Sequence, residues 1–410
     1  MPVRILHFAD AHIDCVSGGK RDPATGFSYR TLDFLKAFDT IVDTAIDENV
    51  DLVLFAGDAY RDATPSPTFQ REWDRRMMRL SAARIPTLMI PGNHDLTPTS
   101  TKADALQEFA SFDIPYLHLA SGEPRLWTPA ELDGAAVQVI TVPWITRSRV
   151  ILNALELETT ADELTDRVVD AFEGWIEALL AKTDPALPTV LMAHYAVAGA
   201  RYPNQQMVTL GGEITLPVAL TRDPRITYTA LGHIHLFQDL NPGAQPPVVY
   251  PGSIERVNFG EAGDPKGFVI AELQPGSATY TFREIPGRRF FSRDIRIASE
   301  ETFQDEVLAA LPSEAFAQDA MVRLTIRYPA DWEAAFDPRE ARRRMRGALE
   351  FHLIQRPERP MRQRISSDTP VSSLSPADLL RKYCETLGMA DADIAALQRG
   401  AAEIFAGMDI

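Results

Sequence analysis

Five apolar runs in this sequence end on side chains that a protein core cannot hold unpaired, and this repetition limits the possible folds more than any other feature. "VRILHFADAH" reaches Asp10 and His12, "DLVLFAGD" reaches Asp58, and "TLMIPGNHD" reaches Asn93, His94 and Asp95. "TVLMAH" reaches His194, and "YTALGHIH" reaches His233 and His235. Short apolar runs bounded by Gly, Pro or Asp read as buried strands. "VQVITVP", "VVYPGS" and "GFVIAEL" add three more. Segments of helical period at 31–48, 66–83 and 160–182 lie between them, the first carrying Phe34, Phe38, Ile41, Val42 and Ala45. Strands alternating with helices predict an α/β layered domain. The shorter spacings later in the chain predict more antiparallel pairing there.

A chain of 410 residues exceeds one ordinary core. The layered domain is expected over 1–287, with a break near "REIPGRR". A small α+β domain is expected over 288–365: strand 290–297, helix 300–311, strand 320–328, helix 338–349 and strand 350–356. A Ser- and Pro-containing linker, 366–374, precedes a C-terminal helical pair in 375–410. There Ser375 is the expected N-cap, Pro376 opens the first helix and Asp378 completes a capping box. Leu379, Leu380, Tyr383 and Leu387 share one face, and a second helix covers about 392–406. Cys15 and Cys384 form no disulfide framework, which suits a reducing compartment. No signal peptide or membrane-length apolar run is read, so the expected location is cytoplasmic, without a membrane partner.

The net charge of −16 argues against coating nucleic acid by bulk charge. Arginine is nevertheless concentrated in "GRRFFSR", "REARRRMR" and "RPERPMRQR". Two readings of these runs stand: local phosphate contact, or a solvated helix face with ordinary i, i+4 pairs.

In open α/β sheets the carboxyl ends of strands line the ligand crevice, so the five endings are expected to converge. Asp10/His12 and His233/His235 are i, i+2 pairs that point the same way in extended chain. Gly57, Gly92 and Gly232 allow close backbone approach. Five of the eight histidines lie in these motifs, whereas His7 reads as packed inside the first strand. The seven candidate ligands are Asp10, His12, Asp58, Asn93, His194, His233 and His235. They offer only nitrogen and oxygen, which suits Mn, Fe or Zn, and they are enough for two ions with Asp58 as the candidate bridge. His94 is the remaining imidazole, expected to be the general acid for the leaving oxygen, with Asp95 orienting it.

D-x-H, G-D, G-N-H-D, H and G-H-x-H in this order resemble the calcineurin-like metallophosphoesterases. The resemblance implies a layered β-sheet sandwich flanked by helices. It implies that Asp10, His12, Asp58 and His235 hold one ion, and Asp58, Asn93, His194 and His233 the other. "YPGSIERVNFGE" and "GDAYRDATPSP" further resemble SbcD-type exonuclease subunits, relatives of the Mre-type DNA-repair nuclease. That likeness implies two Mn2+ ions, other divalent metals being possible. It also implies exonuclease and endonuclease action on DNA in end processing, repair, recombination and replication. The partner implied is an SbcC-type coiled-coil ATPase, in a heterotetramer containing a homodimer of this chain. The small domain would be a DNA-contacting cap, and the terminal helices would dock on the coiled coil. Many relatives carry His three residues beyond the bridging Asp, where this chain has Arg61, able to hold phosphate but not to act as acid or base.

Ser253 and Arg256 are candidates to touch a bound strand, with a loop packed under the metals as the alternative. The terminal helical stripe either docks on a partner or packs on its own domain. An enzyme acting on a small nucleotide or protein phosphoester would share the chemistry, but would not need the C-terminal third. A non-catalytic scaffold is the third reading, disfavoured by intact His94.

Overall fold

A computed structural model describes residues 2–15, 19–97, 103–145, 161–203, 214–358, 374–386 and 389–406. Contacts divide the chain into two compact units. One comprises Met1–Ser292, Pro312–Arg323 and Arg344–His352; the other comprises Arg293–Leu311, Leu324–Arg343 and Leu353–Ile410.

All eight apolar runs form strands, and in the first unit they build two six-stranded sheets. The first sheet uses β1 (Val3–Phe8), β2 (Leu52–Phe55), β3 (Thr87–Met89), β4 (Leu117–Leu119), β13 (Gly267–Gln274) and β14 (Ser277–Glu284), in the order β14-β13-β1-β2-β3-β4. The second uses β5 (Arg125–Trp127), β6 (Gln138–Val142), β7 (Thr189–His194), β10 (Tyr228–Gly232), β11 (Gln238–Asp239) and β12 (Val248–Tyr250), in the order β11-β12-β10-β7-β6-β5. Short strands β8 (Ala196–Val197) and β9 (Thr215–Leu216) pair separately. The β1-β2-β3-β4 and β6-β7-β10-β12 blocks are parallel. Within the two sheets the described antiparallel pairs are those of β13 with β1 and β14, β11 with β12, and β5 with β6, so the expected later enrichment holds only in part.

Side-chain alternation divides the strands between three cores. Ile5, Leu52, Leu54 and Val269 of the first sheet meet Val139, Val190, Met192 and Val249 of the second. On its other face the first sheet sends Leu6, Phe8, Val53 and Phe55 against helices α1 (Tyr29–Asp47) and α2 (Pro67–Ala82). The second sheet sends Ile140, Val142, Leu191 and Leu231 against Phe172, Ile176 and Leu180. A helix α3 (Gln107–Ser111) follows α2, and Phe172, Ile176 and Leu180 belong to α4 (Ala161–Leu180). Because both faces of each sheet are covered, the central strands are near-continuously apolar and carry no polar alternation. His7 is fully buried in β1, bonded to the Tyr228 hydroxyl at 3.1 Å and to the Leu231 carbonyl at 3.2 Å.

Strands β15 (Phe290–Arg296), β16 (Met321–Pro329) and β17 (Glu350–Glu358) form a three-stranded sheet. Helices α5 (Phe303–Ala310), α6 (Glu314–Ala317) and α7 (Pro338–Arg344) lie between them in sequence. Helix α7 is shorter than expected, because the chain turns before Gly347, whose backbone packs on the Gln318 side chain. Helices α8 (Pro376–Thr386) and α9 (Asp391–Ala406) close the chain. Ser375 Oγ accepts the Asp378 N–H at 3.2 Å and donates to its carboxylate at 2.5 Å. Linker residues 366–373 and Leu387 lie outside the described residues. Among the described residues no helix is long and apolar enough to cross a membrane.

Candidate metal centre

The parallel strands β1, β2 and β3 of one sheet, and β7 and β10 of the other, all finish at the same site. Asp58 Oδ2 lies 3.7 Å from His12 Nε2 and 3.3 Å from His194 Nε2. His12 Nε2 and His235 Nε2 are 3.1 Å apart, and Asp10 Oδ1 is 3.9 Å from His235 Nε2. Asn93 Oδ1 stands 3.2 Å from His194 Nε2 and 2.9 Å from His233 Nδ1. All seven candidate ligands are therefore together. Two close groups stand out, Asp10 with His12 and His235, and Asp10 with Asp58 and His194. Asp10 thus reaches both groups, as Asp58 reaches imidazoles of both.

The turns that gather them are tighter than extended chain. Asp10, His12, Asp58 and His233 have φ of 51°, 39°, 62° and 95°. The i, i+2 side chains therefore converge through left-handed turns, not through strand alternation. Such backbone costs about 1–3 kcal/mol per residue and persists only where its surroundings impose it. Here the Asp10 N–H donates to the Gly57 carbonyl at 2.9 Å, and the Ala11 N–H to the Asp58 carbonyl at 2.8 Å. A Cβ on Gly92 would stand 2.2 Å from Asp58 Oδ1 and 2.6 Å from the Asp58 nitrogen. Gly92→Ala is accordingly expected to displace Asp58 and weaken metal binding on the order of 10–100-fold, as supporting-shell changes do. Equilibrium dialysis against Mn2+ checks this.

Hydrogen bonds on the far side of the rings fix their tautomers. His12 Nδ1 donates to the Tyr60 carbonyl at 2.9 Å, His194 Nδ1 to the Ala56 carbonyl at 2.6 Å, and His235 Nδ1 to the Glu261 carboxylate at 3.1 Å. In the neutral rings each Nε2 lone pair then points inward, toward another lone pair or a carboxyl or amide oxygen. Acceptors facing acceptors in a buried site repel unless a cation lies among them. The electrostatics differ between the rings. Burial pushes the His12 imidazole down to about 4. Burial also disfavours charge on Asp58 and His194, but their attraction prevails: Asp58 is held well below the usual carboxylate range and His194 is pushed up to about 9. The all-N/O donor set fits divalent ions of the Mn, Fe or Zn kind.

His94 stands exposed at the mouth, its ring edge-on to His12 with centroids 5.3 Å apart. Its Nδ1 donates to the Arg61 carbonyl at 2.6 Å. The orienting partner is thus the Arg61 backbone, and the expected role of Asp95 is corrected. The Asp95 carboxylate is fully buried and accepts N–H groups from Gly92, Asp58, Ala59 and Tyr60 at 2.9–3.3 Å. It holds two metal-site turns together. Asp95→Ala would leave those four donors unpaired, at about 1–3 kcal/mol for each that stays dry. A thermal melt should show a pronounced drop in Tm.

Arg61 is exposed, and its guanidinium makes a 3.4 Å contact with the Cys15 carbonyl. Ser253 is fully buried; its hydroxyl donates to the Glu255 carbonyl at 3.0 Å and accepts from Lys266 at 2.9 Å. The Arg256 guanidinium is mostly covered and donates to the Asp264 carbonyl at 2.8 Å. Ser253 fits the packed-loop alternative, its hydroxyl being used inside the protein; Arg256 is packed through its Asp264 contact, while its Nε is buried without a hydrogen-bond partner among the described residues.

Glu261 and Lys266 escaped the sequence reading. Both are buried, with Lys266 Nζ 2.7 Å from Glu261 Oε2. Only the place of Glu261 within "VNFGE" was a signal; an isolated lysine before a strand gives none. Trp144 was also missed. Its ring stacks on Tyr195 at 4.9 Å and lies 5.4 Å from the His233 ring, walling the second imidazole group.

Two covered sheets with such a donor set at their parallel strand ends define a dinuclear metal-dependent hydrolase. The calcineurin-like phosphoesterase family matches residues 3–237, and the chain belongs to that family. Among curated proteins, "DNA double-strand break repair protein Mre11" of Archaeoglobus fulgidus is 25% identical over 75% of this chain and 65% of its own length. The SbcD component of the SbcCD nuclease of Bacillus subtilis is 26% identical over 69% of each chain. The chain therefore spans about two thirds of the length of these relatives. A dimetal phosphatase from Danio rerio aligns over 69% of this chain and all of its own, at 11% identity and a TM-score of 0.41.

Proposed function

We propose that the chain is a Mn-dependent DNA nuclease subunit, an exonuclease and endonuclease that works with an SbcC-type coiled-coil ATPase in DNA end processing, repair, recombination and replication. The observation that carries this reading is the similarity to proteins named as Mre11 and as the SbcD component of a nuclease, extending well past the phosphoesterase match, on a chain with every candidate ligand assembled. Asp10, His12, Asp58 and His235 hold one ion; Asp58, Asn93, His194 and His233 hold the other.

When bound, the ion pair supplies an activated water and neutralises charge on the phosphoryl group. The chain's residues do the rest. Asp10 and Asp58 set the carboxylate charge between the imidazoles. His94, held at Nδ1, presents Nε2 at the mouth to protonate the departing oxygen. Exposed Arg61 holds a neighbouring phosphate of the strand. Residues 1–287 are the nuclease domain and 288–365 a DNA-contacting cap. The helical pair in 375–410, joined by linker 366–374, docks on the ATPase, a role supported by the exposure of Tyr383 and Leu397. A homodimer of this chain within a cytoplasmic heterotetramer completes the proposal.

End-labelled linear duplex DNA incubated with Mn2+, Mg2+ or no metal, with and without the ATPase, tests it. Bis-(p-nitrophenyl) phosphate runs in parallel. Manganese-dependent DNA cutting is the expected result. Hydrolysis of the small ester with DNA left intact, even beside the partner, would transfer the assignment to a small phosphoester.

A further inference from the structure

We propose that Glu261 and Lys266 form a buried charged clamp that positions His235, and so sets the affinity of the ion held by Asp10, His12 and His235 separately from that of its neighbour. This rests on the two-ion reading of the site. The clamp is fully connected. Glu261 Oε1 accepts from His235 Nδ1 at 3.1 Å and from Asn258 Nδ2 at 3.2 Å. Its Oε2 accepts from Lys266 at 2.7 Å and from the Val257 N–H at 3.0 Å. Lys266 spends its other two donors on the His235 carbonyl at 2.8 Å and on Ser253 Oγ at 2.9 Å. One ion pair thus grips both the ring and the backbone of a single candidate ligand.

Glu and Lys are almost never fully buried unless paired. Yet such a pair contributes little net stability, since well-packed apolar residues often replace one without loss. Its retention here is explained by what it does to His235. A carboxylate on the distal ring nitrogen fixes the Nδ1–H tautomer and raises the basicity of Nε2, the atom that faces His12 and Asp10. Lys266 keeps that carboxylate anionic without leaving net charge in the core. His194, in the other group, is held differently. Its Nδ1 is bonded to the Ala56 carbonyl, which carries no formal charge. Glu261 is a positioning residue, acting through His235.

Calorimetric Mn2+ titration of the full chain, with electron paramagnetic resonance to distinguish coupled from isolated Mn2+, tests this. Wild type should take up two ions. Glu261→Gln alone strands the Lys266 ammonium, so the decisive variant is Glu261→Gln/Lys266→Met, which keeps the core neutral. The expected result is a wild-type Tm with one ion bound about 10–100-fold more weakly, the other unchanged, and an isolated-Mn2+ spectrum at intermediate loading. Two ions bound with wild-type affinities by the double variant, or an equal loss at both sites, would overturn the clamp while leaving the two-ion centre standing. Uptake of fewer than two ions by wild type would overturn both.

Discussion

His94→Gln is expected to lower DNA cleavage about 10²–10⁴-fold, the range for a general acid, while metal uptake stays at the wild-type level. The side chain is exposed at the mouth, and its ring is held by the Arg61 carbonyl. The contact that ties this turn to the ligands, from the His94 N–H to Asp58 Oδ1 at 2.9 Å, is made by the backbone and survives the substitution. A glutamine also leaves Asp95 and its backbone cradle untouched. Single-turnover cleavage beside elemental analysis separates the two effects. Proton donation matters most for a poor leaving group, so the loss should be far smaller with bis-(p-nitrophenyl) phosphate, whose leaving group departs as a stable anion. Undiminished DNA turnover, or an equal loss on both substrates, would remove His94 from the acid role.

The second large effect is at Asp58. Its Oδ2 stands between His12 and His194, its Oδ1 receives the His94 N–H, and its charge pushes His194 up to about 9. Asp58→Ala should therefore empty both ion positions at metal concentrations that saturate the wild type, and abolish hydrolysis. Elemental analysis after gel filtration reads the stoichiometry directly. Loss of one ion would mean that Asp58 serves a single ion, with Asp10 then the better candidate for the shared carboxylate, since it belongs to both close groups. Full occupancy would refute any ligand role.

The chemistry was legible in the sequence because it is written in local motifs. Each ligand candidate follows an apolar run within four residues, so recognising the strand locates the residue, and five strands sharing one end assemble the set. The layered fold was legible for a related reason. Strands covered on both faces are near-continuously apolar, and all eight such runs proved to be strands. What escaped has no local signature. β4, β5 and β11 are two- or three-residue edge strands, and β14 alternates polar and apolar residues. The left-handed turns at Asp10, His12 and His233 are imposed by neighbouring strands: a Cβ at Gly232 would lie 2.0 Å from the Ala56 carbonyl oxygen. The real partner of Asp95 was hidden because a carboxylate next to an imidazole in sequence suggests that pair, whereas folding brings four backbone donors to it. Ser253 and Arg256 looked available for a ligand because their partners, Lys266 and Asp264, lie beyond them in chain segments that carry no motif.

Anomalous diffraction from crystals grown with Mn2+ would locate the ions. Two peaks about 3.5–4 Å apart are expected, as in other two-metal hydrolytic sites. One should lie against Asp10, His12 and His235, the other against Asn93, His194 and His233, with Asp58 between them. A single peak, or two peaks away from these side chains, would contradict the two-ion centre.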